Sequence, residues 1–497
     1  VSDRPNILLI VSDQERQRDW LPSTARLPHR QRLLNEGMEF TQHYTHTSPC
    51  SPSRATLFTG RYMPDHGVTE NSTGPDNTEL RKDIDTLGHM LRRQGYRTAY
   101  KGKWHLEVGA HPDMNAYGFG DWEGNDQAFW GLPGSGTEYD PFIAEGATRW
   151  LDEHGDGPDP WFLVVAMVNP HDIMWYPVDQ AWFAAAYPEF FAERRRQANE
   201  MDWGRVDNLP LFDMDVPEHF TELPINFDDD LHTKPEVHRR WMMEMERMAQ
   251  PGEMRRDDSA IWRRQLDYYV ALHELNDVQL GRVLDALDRT GRADETVVLF
   301  TSDHGDQCGS HGLRSKGPWN YQETMRIPLY ARVPGITRPG SVSSSLSSSV
   351  DLAATIADLA GAHDDVDGLP GRSLRPVLAD PAVTVRDHVL FAQRWPWYPG
   401  VEQTRYASSG VFDGRHKYCR YYGIGGGADT RGRALPGTIR IGPDSAFEDH
   451  DHEWYDLVED PGELVNLAND RGRRQELRQH FDRLIELEAE TPSEASR

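Results

Sequence analysis

Three uninterrupted apolar runs, each ending abruptly in polar and titratable residues, dominate the pattern of this chain. Asn6-Ile7-Leu8-Leu9-Ile10-Val11 runs into Ser12-Asp13-Gln14, Trp161 to Val168 into Asn169-Pro170-His171-Asp172, and Thr296 to Phe300 into Thr301-Ser302-Asp303-His304. Apolar runs without alternation suit strands buried on both faces of a parallel or mixed sheet. Elsewhere the apolar spacing changes to the helical period, over Leu87 to Gln94, Pro141 to Asp152, Ile261 to Leu287 and Asp351 to Ala360. The combination predicts an α/β fold with a large mixed central sheet sandwiched by helices. Strand-like His388 to Gln393 and Tyr418 to Tyr422, then a charged amphipathic helix over about Arg473 to Glu488, predict a smaller C-terminal α+β subdomain. The division expected is a main unit over residues 1–380 and a subdomain over 381–497.

Three segments break the pattern. Residues 175–252, rich in Trp, Met, Phe, Asp and Glu, read as a helical and loop insertion at the mouth of a site. The serine-rich stretch Ser341 to Ser349 reads as a surface loop, and Gly423 to Gly427 as a flexible turn. The latter lacks the Lys-Ser/Thr ending and following helix of a phosphate-binding loop.

Ligands of open α/β sheets bind at the carboxyl ends of the strands. Asp13, His171, Asp303 and His304 are therefore predicted to converge, although a single Asp after a strand is more often a helix N-cap. Ser48-Pro49-Cys50-Ser51-Pro52-Ser53-Arg54 adds a helix start, with Ser51 as N-cap, Pro52 in the first turn and Arg54 to Phe58 continuing. Cys50 would then stand beside unpaired N–H groups and a positive dipole end, where anions bind.

Charge and composition narrow the partners. A net charge of −27 over 497 residues excludes nucleic acid and anionic membranes. It does not exclude an anionic substrate, since bulk charge is screened beyond about 8 Å and local cations decide. No apolar run approaches membrane-spanning length. The stretch Val1 to Ile10 already holds a core strand, so it does not read as a secretory signal, and a start at Val leaves room for a segment removed ahead of it. Three cysteines, Cys50, Cys308 and Cys419, form no disulfide framework and fit a reducing, cytoplasmic setting.

The segment Cys50-x-Pro-x-Arg, followed by Ala55-Thr56-Leu57-Phe58-Thr59-Gly60-Arg61, resembles the signature of the type I, formylglycine-dependent sulfatases of the alkaline phosphatase-like superfamily. Gly102-Lys103-Trp104-His105-Leu106 resembles the second motif of that family, and Ser302-Asp303-His304-Gly305 with Lys316 its later metal loop. Glu453-Trp454-Tyr455-Asp456-Leu457, with Asp460-Pro461 and Asn466-Leu467, resembles its C-terminal ending. Many sulfatases carry two aspartates after the first strand and Asn after the later Asp. Asp13-Gln14 and Asp303-His304 depart from that and resemble the branch of choline sulfatases and phosphonate monoester hydrolases.

The resemblance implies a sulfuric ester hydrolase whose nucleophile is a formylglycine hydrate made from Cys50. A formylglycine-generating enzyme would be its maturation partner. The implied ligands of one divalent cation are Asp13, Gln14, residue 50, Asp303 and His304. Family precedent favours Ca²⁺; the imidazole tilts toward Mn²⁺, and Mg²⁺ stays open. Arg54 and Lys103 would hold the hydrate oxygens, and His105 would take the proton that releases sulfate. Lys316 and His171 would contact the sulfate, one of them protonating the leaving group. Taken alone, each of these residues has an ordinary structural reading. Lys101, two residues before Lys103 and so expected to point the same way along a strand, and His311, near the later metal loop, are undecided neighbours. Phosphonate or phosphate esters are the alternative substrates. Trp104, Trp175, Tyr176, Trp319, Trp395 and Trp397 lie in or near the expected site loops, where most would pack and some would offer faces to a leaving group. The oligomeric state stays open.

Overall fold

The computed structural model describes residues 4–73, 78–177, 179–186, 188–189, 192, 216–248, 254–395, 404–424 and 440–490. Its centre is a seven-stranded sheet. In chain order the strands are β1 (Asn6–Ser12), β2 (Met38–Phe40), β3 (Arg97–Gly102), β4 (Trp161–Ala166), β5 (Thr296–Ser302), β6 (Leu329–Arg332) and β7 (Ser341–Ser343). Their order across the sheet is β3-β4-β1-β5-β6-β2-β7. β1 pairs in parallel with β4 and β5, and β3 pairs in parallel with β4. β6 runs against both of its neighbours, which makes the sheet mixed.

The strands are apolar throughout because both faces are covered. Ile7, Leu9 and Val11 point into one core with Phe162, Val164, Val297 and Leu299. Leu8 and Ile10 point into the other with Leu163, Val165, Val298 and Phe300. This is the period of two of a strand, written in residues that are apolar at every position. The first face is covered by α1 (Cys50–Thr59) and α4 (Ser349–Leu359), the second by α2 (Ser135–His154) and α3 (Ser259–Arg289). Each fully buried Leu or Ile contributes about 1.5–3 kcal/mol.

The C-terminal part forms an antiparallel sheet from Val389–Arg394, Ala407–Phe412, His416–Ile424 and Asp451–Asp456, with the short strand Arg440–Ile441 at one edge. The terminal helix α5 (Arg474–Glu490) lays Leu477, Phe481, Leu484 and Leu487 against it.

Four local expectations are corrected. The serine-rich segment is not a surface loop: Ser341–Ser343 is an edge strand, Ser347–Ser348 pairs with His43–Tyr44, and most of its residues are buried. Some of the buried hydroxyls bond to backbone carbonyls. Ser343 Oγ, for example, donates to the Pro381 carbonyl at 2.9 Å. Second, α1 begins at Cys50 itself, with Pro49 at the cap position and no side-chain cap. Ser51 lies inside the helix, and its Oγ donates to the His105 carbonyl at 2.5 Å. Third, Lys101 and Lys103 do not share a direction. The strand ends at Gly102, after which Lys103 turns into the site while Lys101 pairs with Glu123 at 2.9 Å. Gly102 has φ +95°, and a Cβ there would lie 2.0 Å from the Ala166 carbonyl oxygen, so only glycine lets the chain turn so close to β4. Fourth, Gly423 lies at the end of a strand rather than in a turn; Gly425 to Gly427 lie outside the described residues. Much of 175–252 also lies outside them, but the helices Ala181–Ala186 and Glu236–Met248 belong to that insertion.

Candidate active site

Four neighbouring parallel strands deliver the titratable residues at their carboxyl ends. Lys103 and His105 follow β3, His171 follows β4, Asp13 follows β1, and Asp303 and His304 follow β5. The first residue of α1 brings Cys50 over this edge. Its Sγ lies 3.5 Å from Asp13 Oδ1 and 3.3 Å from His304 Nε2. One ligand atom from each of Asp13, Cys50, Asp303 and His304 lies within 4.8 Å of the others, and all four residues are buried.

Arg54, one helical turn beyond Cys50, is fully buried and clamps the two aspartates. Its Nη2 donates to Asp13 Oδ2 at 2.9 Å, its Nε to Asp303 Oδ2 at 3.0 Å and its Nη1 to the Lys103 carbonyl at 2.8 Å. Lys103 Nζ sits 2.7 Å from Asp13 Oδ2. Burial works against the charge on Asp13, but Lys103 and Arg54 hold its carboxyl well below the usual range. Burial and then the adjacent Asp13 charge push Asp303 up to about 7.

Gln14 adopts φ +67°. Its Nε2 donates to Asp306 Oδ2 at 2.5 Å, while its Oε1 accepts from Lys316 Nζ. Lys316 Nζ also lies 3.2 Å from His171 Nε2. Burial, then Lys316 and Lys103, depress His171 far below the ordinary imidazole value. Burial, then Lys103 and Arg54, do the same to His105. Both rings are therefore neutral at pH 7. Both nitrogens of His105 and Nδ1 of His171 are buried without a hydrogen-bond partner among the described residues. Buried polar atoms left open at a reaction centre mark where a ligand's polar groups go.

The donor set fits a divalent cation that prefers oxygen and tolerates imidazole: two carboxylates, an imidazole, and the position-50 side chain. The observation behind that fit is geometric: one ligand atom from each of these four buried side chains lies within 4.8 Å of the others.

Sequence reasoning missed several residues that hold these side chains. Asp126 accepts the backbone N–H groups of Trp104 at 2.8 Å and His105 at 2.9 Å. Asp140 does the same for Val168 and Asn169 ahead of His171, at 2.6 and 3.0 Å. Asp306 fixes Gln14. Asp126 and Asp140 stand in no motif and follow no strand, so no local signal marks them; Asp306 directly follows Ser302-Asp303-His304-Gly305 at the end of β5, a position that could have pointed to it. The nominated aromatics are packing residues: Trp104, Trp175, Tyr176, Trp319 and Trp395 are all buried, and Trp397 lies outside the described residues.

His311 is placed elsewhere. Its Nδ1 lies 2.8 Å from Asp229 Oδ2 and its Nε2 3.1 Å from Asn226 Nδ2, with the ring stacked on Tyr321. With Glu323 and Glu463 it forms a second cluster of ligand-type groups. That cluster is already balanced internally. Asn226 Nδ2 donates to Glu323 Oε1 at 3.1 Å, and Lys417 pairs with Glu463. It joins the insertion to the C-terminal sheet. A cavity of about 740 Å³ beside it, lined by Trp20, His219, Phe220, Arg326 and Val458, touches none of the converging residues.

An α/β sheet carrying a buried cation-type donor set and a helix-start cysteine at its carboxyl edge defines a phosphatase- or sulfatase-like hydrolase. The chain belongs to the sulfatase family, whose model matches residues 5–362, and its enzymes hydrolyse sulfate esters. Residues 309–425 also match the C-terminal region of N-sulphoglucosamine sulphohydrolase. An N-acetylglucosamine-6-O-sulfatase of Bacteroides thetaiotaomicron is 26% identical over 507 residues, covering 93% of this chain and 82% of that protein. A structure solved with its substrate D-glucosamine-2-N,6-O-disulfate superposes with TM-score 0.70 at 21% identity, over 98% of each chain. The phosphonate monoester hydrolase of Agrobacterium radiobacter superposes with TM-score 0.70 at 22% identity, over 98% of this chain and 96% of that one. The fold is alkaline phosphatase-like. Among the described residues, no helix is long and apolar enough to cross a membrane.

Proposed function

We propose that this chain cleaves sulfate monoesters at the Cys50 site after Cys50 has been converted to formylglycine by a separate maturation enzyme. The observation that carries the reading is the seat of Cys50: first residue of a buried helix, over Asp13, Asp303 and His304, with Arg54 and Lys103 behind them. The unit that carries this chemistry is residues 1–380, with 381–497 as the flanking subdomain. Asp13, Gln14, Asp303, His304 and residue 50 would hold one divalent cation, with Ca²⁺ first and Mn²⁺ or Mg²⁺ as alternatives. The bound cation and the hydrated aldehyde together supply an acidified oxygen nucleophile and charge neutralisation at the ester.

The chain's own residues supply the rest. Arg54 holds the two aspartates in register and fixes the Lys103 carbonyl. Lys103 balances Asp13 and lies within reach of residue 50. His105, neutral and with both nitrogens open, accepts the proton whose loss releases sulfate. Lys316 carries the proton for the leaving oxygen, because the neutral His171 beside it holds the ammonium in place rather than competing as the acid. The cationic edge stabilises charge that builds on the transferring group.

Sulfated amino sugars are the first substrates to test, in view of the relative and the solved structure whose names carry them. The alternative is a phosphonate or phosphate ester at the same site, favoured by Asp13-Gln14 with Asp303-His304 and by the likeness to a phosphonate monoester hydrolase fold. Mass measurement of the peptide containing Cys50 in active protein tests the nucleophile: formylglycine is lighter than cysteine, and active protein carrying only cysteine overturns the proposal. Specificity constants on matched aryl sulfate and phosphonate esters test the substrate. A phosphonate preference of about tenfold or more reverses the assignment.

A further inference from the structure

We propose that Trp130 is a specificity-determining residue, an aromatic platform that receives a ring-shaped leaving group beside the ester. The inference rests on the reading that the Cys50 site takes a tetrahedral sulfate ester. Every described aromatic that the sequence nominated is buried in packing and has no free face. Trp130 is only half-buried, yet it is tied to the reaction centre. Its ring lies over His105, with centroids 5.5 Å apart and planes 25° from parallel. Its carbonyl accepts Lys103 Nζ at 3.0 Å.

The next residue locks the segment from the other side. The Gly131 carbonyl accepts Trp175 Nε1 at 2.7 Å. A Cβ on Gly131 would lie 2.3 Å from the His171 ring, so the backbone itself forms the wall there. Residues 130 and 131 thus bridge His105 on one flank of the ester site and His171 on the other. Among the described residues, His105 is the one ring packed on Trp130.

On this proposal the ester's ring lies between the two histidines, against the indole. Flat or saturated rings with exposed C–H faces stack on indole, whereas a short alkyl chain covers little of it. The platform therefore selects aryl and sugar sulfates over small alkyl sulfates, and it acts on the ester's ring rather than on sulfur. A separate effect comes from the backbone carbonyl on Lys103, which any side chain at 130 preserves.

Calorimetric binding separates the two. The parent is the Cys50→Ala protein, which lacks the nucleophile, saturated with Ca²⁺ so that Asp13, Asp303 and His304 still hold the cation, and titrated with phenyl sulfate, a glucosamine sulfate, ethyl sulfate and inorganic sulfate. Adding Trp130→Ala should weaken the ring esters about tenfold and leave ethyl and inorganic sulfate within about twofold. Trp130→Phe should keep the ring esters within about threefold of the parent. Equal weakening of ring and ethyl esters, or no weakening of the ring esters, overturns the platform while leaving the sulfate site standing. If inorganic sulfate and every ester fail to bind the parent, the sulfate reading itself falls and takes the platform with it.

Discussion

Replacing Asp126 by alanine removes one buried carboxylate that holds two consecutive backbone N–H groups, those of Trp104 and His105. Both bonds are at ordinary length, 2.8 and 2.9 Å, and the residue is fully buried, so bulk solvent does not reach the freed donors. Leaving a buried donor unmade costs about 1–3 kcal/mol, so two donors cost about 2–6 kcal/mol. His105 also adopts φ +58°, a conformation that a non-glycine residue keeps only when its surroundings hold it. Once released, its ring leaves the place it has opposite Trp130, and a displacement of about 1 Å at a reacting group costs on the order of 100-fold in turnover. Urea unfolding and kcat on an aryl sulfate measure the two effects separately. Asp126→Asn should fold better than Asp126→Ala, because its amide oxygen still accepts one N–H, but it should recover little kcat, because its NH₂ faces the other. If Asp126→Ala loses less than about 1 kcal/mol and keeps kcat, the carboxylate does not hold the loop and the reasoning fails.

Three further outcomes follow from buried charge and protonation. Arg54→Met leaves Asp303 without its ion pair and Asp13 with Lys103 alone; it should cost about 3–5 kcal/mol in chelator, and Ca²⁺ should restore part of that, with an unchanged melting temperature in both conditions counting against the clamp. Wild-type protein should gain about 2.7 kcal/mol of stability at a cation concentration 100 times its Kd, and Asp303→Ala should lose that gain; equal cation-induced stabilisation of the variant would contradict the ligand set. His66 is held neutral, pushed down to about 3 by burial and then by His46 and Arg61. Its Nδ1 accepts the Val68 N–H at 3.1 Å and its Nε2 meets Thr56 Oγ1 at 3.1 Å. The unfolded chain binds this proton below pH 6.5 and the folded chain does not, so its contribution is present above 6.5 and is lost as pH falls toward 3. The loss is about 1.4 kcal/mol per pH unit, and His66→Gln, which keeps both bonds, should flatten the slope of stability between pH 6 and 4; an unchanged slope would show that His66 is not involved.

The chain's own pattern determined the layers. Continuous apolar strands at Asn6–Ser12, Trp161–Ala166 and Thr296–Ser302 belong to a sheet covered on both faces, and that requirement is readable because it acts on every position of the strand. The same logic placed Asp13, His171, Asp303 and His304 at one edge, since parallel strands end on the same side. A helix start near Cys50 was legible from the local residues, but its cap was not: Pro49, and not Ser51, stands there, with no side-chain cap. Tertiary structure decided the rest. The serines of Ser341–Ser343 read as polar loop residues, and only their pairing with Met38–Phe40 turns them into strand. Lys101 and Lys103 are two apart in sequence, yet the turn at Gly102 sends them to different partners, Glu123 and Asp13. Asp126, Asp140, Asp306 and Trp130 act on backbone groups, a side-chain amide and a ring that lie far from them in the chain. Their roles depend on where the fold brings those groups, and a long-range contact leaves no periodic trace in sequence.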